Sequence, residues 1–87
     1  MNILEQFEKA QEESKNLKER PDNQTLLRLY ALFKQGSVGD APESGPANPF
    51  DIVGKAKYDA WSSLRGTPKE KAQEDYIALV NQLKTSA

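Results

Sequence analysis

The chain has 87 residues, with twelve Lys and Arg, thirteen Asp and Glu, and a formal net charge of -1. This length predicts one domain, residues 1–87, with a single small core. The near balance of charge argues against a general nucleic-acid-binding protein, which normally carries a strong basic excess. The sequence has no His and no Cys, so the commonest general base, the best nucleophile and the usual zinc ligands are missing. We therefore expect no catalytic residues and no metal site.

The start of the chain favours a cytoplasmic protein. Residues 1–8 are acidic and periodic, unlike the basic and then apolar pattern of a signal peptide. No apolar run approaches the roughly 20 residues that cross a bilayer, so we expect no stable membrane insertion. The absence of cysteine fits a reducing compartment.

Apolar residues at steps of three and four predict the first two helices. The first runs from about Ile3 to Leu17 and ends before Pro21, because proline disfavours helix at the residue before it. The second takes Asp22 or Asn23 as its N-cap and runs to about Gln35. This second helix is apolar around more than half its circumference, so it either is central to the core or lines a ligand site.

A long loop, from Gly36 to Pro49, separates the second and third predicted helices. It holds three of the five glycines and three of the five prolines. Loops of this length in a compact domain are often functional. Two large apolar residues at its end, Phe50 and Ile52, predict that the loop is pinned to the rest of the domain.

The third helix is predicted from about Gly54 to Leu64, with Gly66 as its C-terminal stop. Thr67, Pro68 and Glu70 form a capping-box pattern that opens the fourth helix. The fourth helix carries one apolar stripe, formed by Ala72, Tyr76, Leu79, Val80 and Leu83. These patterns predict an all-α, four-helix bundle in which the connection between the second and third helices is long and the others are short.

Several lysines and tyrosines lie where they could hold an anionic ligand. Tyr30 and Lys34 are four residues apart and so share a face of the second helix. Lys57 lies in the first turns of the third helix, Tyr76 is a phenol on an apolar stripe, and Lys15 lies near the end of the first helix. Each also has a purely structural explanation, because lysines usually face solvent and tyrosines usually pack. Spacing alone therefore predicts no more than a helical bundle.

Six blocks of residues occur in an order and at a spacing typical of one family. They are Phe7-Glu8-Lys9-Ala10, Asn16-Leu17-Lys18 with Pro21, Leu29 to Gln35 with Val38-Gly39-Asp40, Gly54 to Trp61, Leu64 to Thr67, and Tyr76-Ile77. With these blocks the chain resembles the acyl-CoA-binding protein family over nearly its whole length. The resemblance implies an up-down-down-up topology and non-catalytic binding and transport of medium- and long-chain fatty acyl-CoA esters.

The resemblance also implies a ligand site that needs no cofactor. Its residues are Lys15, Tyr30, Ala31, Leu32, Phe33, Lys34, Lys57 and Tyr76. In this site Tyr30 and Phe33 flank the adenine ring. Lys34 and Lys57 meet the phosphates, and Tyr76 offers its hydroxyl.

The acyl chain needs an apolar groove, and the sequence suggests its walls. Leu26 and Leu27, next to Tyr30, fit one wall. The other predicted lining comprises Ile3, Leu4 and the pair Phe50 and Ile52.

Two other interpretations remain open at this point. A helical protein–protein interaction module would bind a partner helix and ignore acyl-CoA. An enzyme acting on the same ligand would need a positioned acid, base or nucleophile, whereas Asp40, Asp59 and Glu70 have ordinary cap or surface explanations. The family resemblance favours a monomer that binds the ester and serves acyl-CoA-using enzymes.

Overall fold

Four helices account for most of the residues that the computed structural model describes, which are residues 2–45 and 50–85. They are α1 (Ile3–Lys15), α2 (Asn23–Ser37), α3 (Ile52–Ser62) and α4 (Lys69–Thr85). Neither described range contains a strand. The prediction of an all-α, four-helix fold is confirmed.

Side-chain caps set the starts of three helices: Asn2 caps α1, Asp22 caps α2 and Asp51 caps α3. Of the two predicted N-caps of α2, Asp22 is the one observed, and its carboxylate accepts a hydrogen bond from the Thr25 N–H at 2.7 Å. Asp51 caps α3 in the same way, accepting from the Gly54 N–H at 3.0 Å. The α3 helix therefore starts two residues earlier than predicted, because the cap lies before Gly54 and not at it.

The other helix ends differ from the predictions by one or two residues. The α1 helix ends at Lys15 instead of Leu17, and α2 continues to Ser37 instead of ending near Gln35. The α4 helix begins at Lys69, one residue after the predicted first position. The α3 helix ends at Ser62 with Ser63 as its C-cap, two residues before the predicted end at Leu64, so Gly66 is not its C-terminal stop. Gly66 lies in the turn that follows, where its φ of +93° suits glycine.

Contacts between the helices define their directions. Lys57 of α3 lies against Tyr30 of α2, and one turn further along both helices Trp61 lies against Lys34, so α2 and α3 are parallel. The end of α2 meets the start of α4, where the Gln73 amide donates to the Gly36 carbonyl at 2.9 Å, so these two helices are antiparallel.

The first and last helices run in the same direction. Phe7 packs on Tyr76, and further along both helices Lys84 forms an ion pair with Glu13. Together with the α2 contacts, these directions are those of an up-down-down-up bundle.

The core consists of two clusters, and α2 contributes to both. The larger cluster comprises Phe7, Ala10, Leu29, Leu32, Ala72, Tyr76 and Val80. Within it the rings of Phe7 and Tyr76 meet edge to face, with centroids 5.2 Å apart, a favourable aromatic arrangement. The smaller cluster joins α2 and α3 to the loop through Ala31, Ala41 and Trp61.

The connection between α2 and α3 is anchored by hydrogen bonds to its backbone. The Trp61 indole donates to the Gly39 carbonyl at 2.7 Å, and the Arg65 guanidinium donates to the Ala41 carbonyl at 2.9 Å. The Tyr58 hydroxyl donates to the Pro42 carbonyl. These three donors come from α3 and the turn after it, so they hold the first part of the connection against α3.

Asp40 adds a polar clasp between this connection and two other parts of the chain. Its carboxylate accepts from the buried Gln35 amide at 2.8 Å and from the Gly66 N–H at 2.9 Å. The same Gln35 amide nitrogen donates to the Thr67 carbonyl at 2.8 Å. The clasp therefore ties the end of α2 to the turn between α3 and α4.

Two predictions about this connection are wrong. Gly36 does not begin the loop; it is a buried residue of α2 that packs beside Phe7 and Gln73. Phe50 and Ile52 do not pin the loop, because they are 91% and 83% exposed. Pro49, where the loop is predicted to end, lies outside the described residues. The anchors are hydrogen bonds near the other end of the connection.

Gly36 lets α2 pack closely on its neighbours, and a larger residue should disturb this packing. A Cβ at this position would lie 3.1 Å from both Phe7 Cζ and Gln73 Cγ. We expect Gly36→Val to lower the free energy of unfolding by about 1–3 kcal/mol, measured by urea denaturation. Ser37→Val is the control, because Ser37 is the exposed neighbour in the same helix. Equal stability of the two variants would contradict this packing argument.

The Asp40 clasp should make stability depend on acid pH. Hydrogen bonds from the Gly66 N–H and then from Gln35 lower the pKa of Asp40 below its ordinary value of 3.8. A lowered pKa in the folded state stabilises the fold above pH 3.8, and this contribution is lost as pH falls through the folded-state pKa. Asp40→Asn should therefore be less stable than wild type at neutral pH, and the difference should shrink below pH 3.8.

Urea denaturation at a series of pH values measures this difference. Asp59→Asn is the control, since the Asp59 carboxylate pairs with the exposed Lys55 of its own helix, and exposed pairs contribute little. A wild-type minus Asp40→Asn difference that stays constant down to acid pH would show that the clasp is not coupled to folding.

Candidate functional site

Two grooves meet on one side of the bundle at Tyr30 and Leu26. The α2–α3 groove has a volume of about 670 Å³ and is lined by Arg20, Asn23, Leu26, Leu27, Tyr30, Ile52, Val53, Ala56 and Lys57. The α1–α2 groove has a volume of about 320 Å³ and is lined by Gln11, Ser14, Lys15, Pro21, Leu26, Leu29, Tyr30, Phe33 and Tyr76. Because they share these two residues, the grooves are adjacent.

The α2–α3 groove is mainly apolar, with cations among its lining residues. Leu26 and Leu27 of α2 face Ile52 and Val53 of α3 across it. Arg20 and Lys57 also line it, and no carboxylate is among its lining residues. This combination suits a ligand with an apolar part and an anionic part.

Two lysines cross the interface between the parallel helices α2 and α3 in opposite directions. The Lys57 ammonium of α3 lies 5.3 Å from the ring centroid of Tyr30 on α2. The Lys34 ammonium of α2 lies 5.1 Å from the ring centroid of Trp61 on α3. Tyr30 and Lys34 are one helical turn apart, and so are Lys57 and Trp61, so the two ammonium groups lie at successive levels of one interface.

The α1–α2 groove has a hydrogen-bonded phenol among its lining residues. The Tyr76 hydroxyl donates to Ser14 Oγ at 3.2 Å, and the Ser14 hydroxyl donates to the Gln11 carbonyl at 2.7 Å. The Tyr76 ring is otherwise buried in the core. This chain of bonds presents polar atoms of α1 and α4 beside the rings of Tyr30 and Phe33.

The structure brings most of the predicted site residues to these two grooves. Lys15, Tyr30, Phe33 and Tyr76 line the α1–α2 groove, and Tyr30 and Lys57 line the α2–α3 groove. Lys34 is half-buried beside Trp61.

Ala31 and Leu32 lie elsewhere. Both side chains are buried, Ala31 against Ala41 and Trp61 in the smaller cluster and Leu32 in the larger one. They pack on the core side of α2, because residues next to each other in a helix do not lie on the same face as the groove residues Tyr30 and Phe33.

The predicted groove lining is right on one wall and partly wrong on the other. Leu26, Leu27 and Ile52 do line the α2–α3 groove. Ile3 instead lines a separate depression between α1 and α4, beside Ile77. Leu4, also on α1, is 53% exposed. The start of α1 packs along α4, so it cannot form the wall opposite Leu26.

Sequence reasoning missed several lining residues. No pattern in the sequence predicts a groove position for Arg20 or Ser14, although Arg20 lines the α2–α3 groove and Ser14 the α1–α2 groove. Val53 was not singled out. Nothing in the linear sequence marks Arg20 as a groove residue, because its position depends on how the α1–α2 turn packs beside α3.

Neither a metal-binding cluster nor a membrane-spanning helix occurs within residues 2–45 and 50–85. These residues contain no group of three or more His, Cys, Asp or Glu arranged to hold a metal ion. Among the helices of this part of the chain, none has the length and apolar character of a membrane span.

The fold and the two grooves define a helical domain with an apolar ligand groove bordered by cations. Residues 4–80 match the sequence model described as "Acyl CoA binding protein". The chain belongs to the acyl-CoA-binding protein family, as the resemblance in its sequence implied.

Individual relatives show the same relationship. An "Acyl-CoA-binding protein homolog" of Manduca sexta is 48% identical over 83 residues, which cover 95% of this chain and 92% of that protein. The crystal structure of Oryza sativa Acyl-CoA-Binding Protein 2 superposes with a TM-score of 0.85 at 38% identity, covering 94% of this chain and 90% of that one. "Enoyl-CoA delta isomerase 2" of Rattus norvegicus is 46% identical over 81 residues, covering 93% of this chain but 20% of that protein.

Removing the Tyr76 hydroxyl tests the polar link between α1 and α4. We expect Tyr76→Phe to lower the free energy of unfolding by about 0.5–1.5 kcal/mol, the usual net value of one hydrogen bond. In a double-mutant cycle with Ser14→Ala, the two effects should not add, because both changes remove the same contact. Additive effects in urea denaturation would mean that this bond does not form in solution.

Proposed function

We propose that this chain binds medium- and long-chain fatty acyl-CoA esters and transports them without chemical change, as one domain spanning residues 1–87. The observation that carries the proposal is the apolar α2–α3 groove, which has the Lys57 ammonium beside Tyr30 and adjoins the α1–α2 groove at that residue. An acyl-CoA ester has a matching division into an apolar chain and an anionic nucleotide. We further propose a cytoplasmic monomer that serves acyl-CoA-using enzymes.

Binding of the acyl chain depends on the apolar side chains that face each other across the α2–α3 groove. A sixteen-carbon acyl chain has about fourteen methylenes, and each contributes about 0.8 kcal/mol when fully buried. The upper limit is therefore about 11 kcal/mol, and an open groove gains less because ordering the chain costs entropy. We assign Leu26, Leu27, Ile52 and Val53 to the acyl chain.

Binding of the ligand's phosphates depends on Lys34 and Lys57, the two lysines at the α2–α3 interface. A cation over an aromatic ring at an exposed site contributes about 0.5–1 kcal/mol. A charge-assisted hydrogen bond to a phosphate contributes about 1.5–3 kcal/mol. Lys34 and Lys57 should therefore leave the rings of Trp61 and Tyr30 and bind the phosphates when the ligand arrives.

The nucleotide base fits best at the junction of the grooves. Tyr30 lines both grooves and Phe33 lines the α1–α2 groove, so their rings offer stacking surfaces for adenine. Lys15 and the Tyr76 hydroxyl line the same groove and would contact the polar part of the ligand.

The proposal includes no catalytic step. Asp40 and Asp59, two of the acidic residues considered for catalysis, are engaged in structural contacts with Gly66 and Lys55. The isomerase relative matches this chain over only 20% of its own length, so its name describes a much longer protein. Incubation with acyl-CoA should leave the thioester intact.

Isothermal titration calorimetry with palmitoyl-CoA, below its micelle threshold, tests the proposal. We expect one-to-one binding of the ester. Free CoA and palmitate should each bind far more weakly, because CoA lacks the acyl chain and palmitate lacks the anionic nucleotide. Lys34→Ala and Lys57→Ala should each weaken binding by about 10- to 100-fold, the equivalent of one charge-assisted contact.

Lys71→Ala is the matched control for these variants. It removes the same charge from an exposed i,i+4 pair with Asp75 on α4 and should leave affinity nearly unchanged. Equal weakening by all three variants would indicate a general charge effect instead of a site. An absence of heat with the ester, together with co-purification of a protein partner, would support the interaction-module alternative.

A further inference from the structure

Ser14 fixes the direction of the hydrogen bond that the Tyr76 hydroxyl makes. The Ser14 hydroxyl lies 2.7 Å from the Gln11 carbonyl oxygen. A carbonyl oxygen can only accept, so the one hydrogen of the Ser14 hydroxyl is donated there. Toward the Tyr76 hydroxyl, 3.2 Å away, Ser14 Oγ can therefore only accept. The one hydrogen of the Tyr76 hydroxyl is used in this bond.

This arrangement determines what the Tyr76 oxygen can offer to a ligand. A phenol has one hydrogen to donate and oxygen lone pairs with which to accept. Because Ser14 takes the hydrogen, the Tyr76 hydroxyl acts toward the α1–α2 groove only as an acceptor. Tyr76 is 4% exposed, and a polar group shielded from water is costly to leave opposite the wrong partner.

An acceptor in this groove discriminates among the groups of an acyl-CoA ester. Phosphate and carbonyl oxygens are acceptors themselves, so they are disfavoured opposite the Tyr76 oxygen. The donors of the ester are the amino group of adenine, the hydroxyls and the amide N–H groups of its pantetheine arm. Among these donors only the amino group belongs to a flat aromatic ring. Tyr30 and Phe33, which offer stacking surfaces for such a ring, line the same groove as Tyr76.

We propose that Ser14 is a positioning residue that makes the site specific for adenine, by holding the Tyr76 hydroxyl so that its oxygen accepts from the amino group of the base. This inference rests on the proposed function and deepens it, because it names the feature of the base that the α1–α2 groove recognises. Hypoxanthine carries a carbonyl oxygen where adenine carries this amino group. An ester with hypoxanthine would set two acceptors against each other and leave both unpaired, which a shielded site rejects.

The other polar groups near Tyr76 fit this division of roles. The Lys15 ammonium lines the same groove and carries donors alone, so it suits the acceptors of the nucleotide and does not compete for the amino group. The Gln11 carbonyl belongs to the backbone of α1, so its position does not depend on a side-chain rotamer. The direction of the Tyr76 bond is therefore set by a fixed part of the helix.

Calorimetry with two esters, each below its micelle threshold, tests the proposal. The esters are palmitoyl-CoA and its analogue with hypoxanthine in place of adenine. We expect wild type to prefer the adenine ester by about tenfold, the equivalent of one hydrogen bond. In Ser14→Ala the Tyr76 hydroxyl can turn and donate to the hypoxanthine oxygen, so the preference should fall to about threefold or less. Ser14→Thr should restore it, because threonine can make the same bond to the carbonyl of the preceding turn.

Ser62→Ala is the matched control. The Ser62 hydroxyl also donates to a carbonyl three residues earlier in its own helix, that of Asp59 at 3.0 Å, but Ser62 is outside the lining residues of both grooves. This variant should keep the wild-type preference. The preference is a ratio measured within one variant, so a general loss of stability would weaken both esters and leave the ratio unchanged.

The outcomes separate this inference from the function on which it rests. Equal affinity of wild type for the two esters would overturn the role of Ser14 while acyl-CoA binding stands. So would a preference that persists unchanged in Ser14→Ala, since Ser14 would then serve only the packing of α1 on α4. Binding of neither ester by wild type would refute the proposed function and this inference with it.

Discussion

The parallel packing of α2 on α3 is the constraint from which most of this architecture follows. Two parallel neighbours cannot be joined by a tight turn, because the chain must return along the length of the second helix before entering it. For the 11 residues of α3 that length is about 16 Å. The connection over residues 38–51 covers it, and bonds from Trp61 and Arg65 to its backbone hold its first part in place. The same packing sets Lys34 of α2 against the Trp61 ring of α3, and Lys57 of α3 against the Tyr30 ring of α2.

The α2 helix serves the core and the grooves at once. Its consecutive residues alternate between the two tasks: Tyr30 and Phe33 line grooves, whereas Ala31 and Leu32 are buried in the two core clusters. In a chain of 87 residues the buried surface is limited, and a helix apolar around most of its circumference meets both needs. Gly36 completes the arrangement by letting the end of α2 approach α4.

Strong and weak contacts are distributed differently over the molecule. The connection before α3 is held by partly buried hydrogen bonds from Gln35, Trp61 and Arg65, and breaking such bonds is costly. At the α2–α3 interface Lys34 and Lys57 rest on aromatic faces, which are weaker contacts. A rigid frame with loosely held cations can bind an anionic ligand without rearranging its backbone. The exposed Phe50, beside one groove, belongs to the surface and not to this frame.

Local patterns in the sequence determined the four helices, the Asp22 cap and the long connection, because caps and apolar periodicity act over a few residues. Family blocks identified Lys15, Tyr30, Lys57 and Tyr76, which line the grooves. Tertiary structure alone decided that Gly36 is a packed helical residue, that Ile3 faces α4 away from the grooves, and that Arg20 lines one. Each of these depends on which helix approaches which and in what direction, and that is a property of the whole packed chain, which no local window of sequence contains.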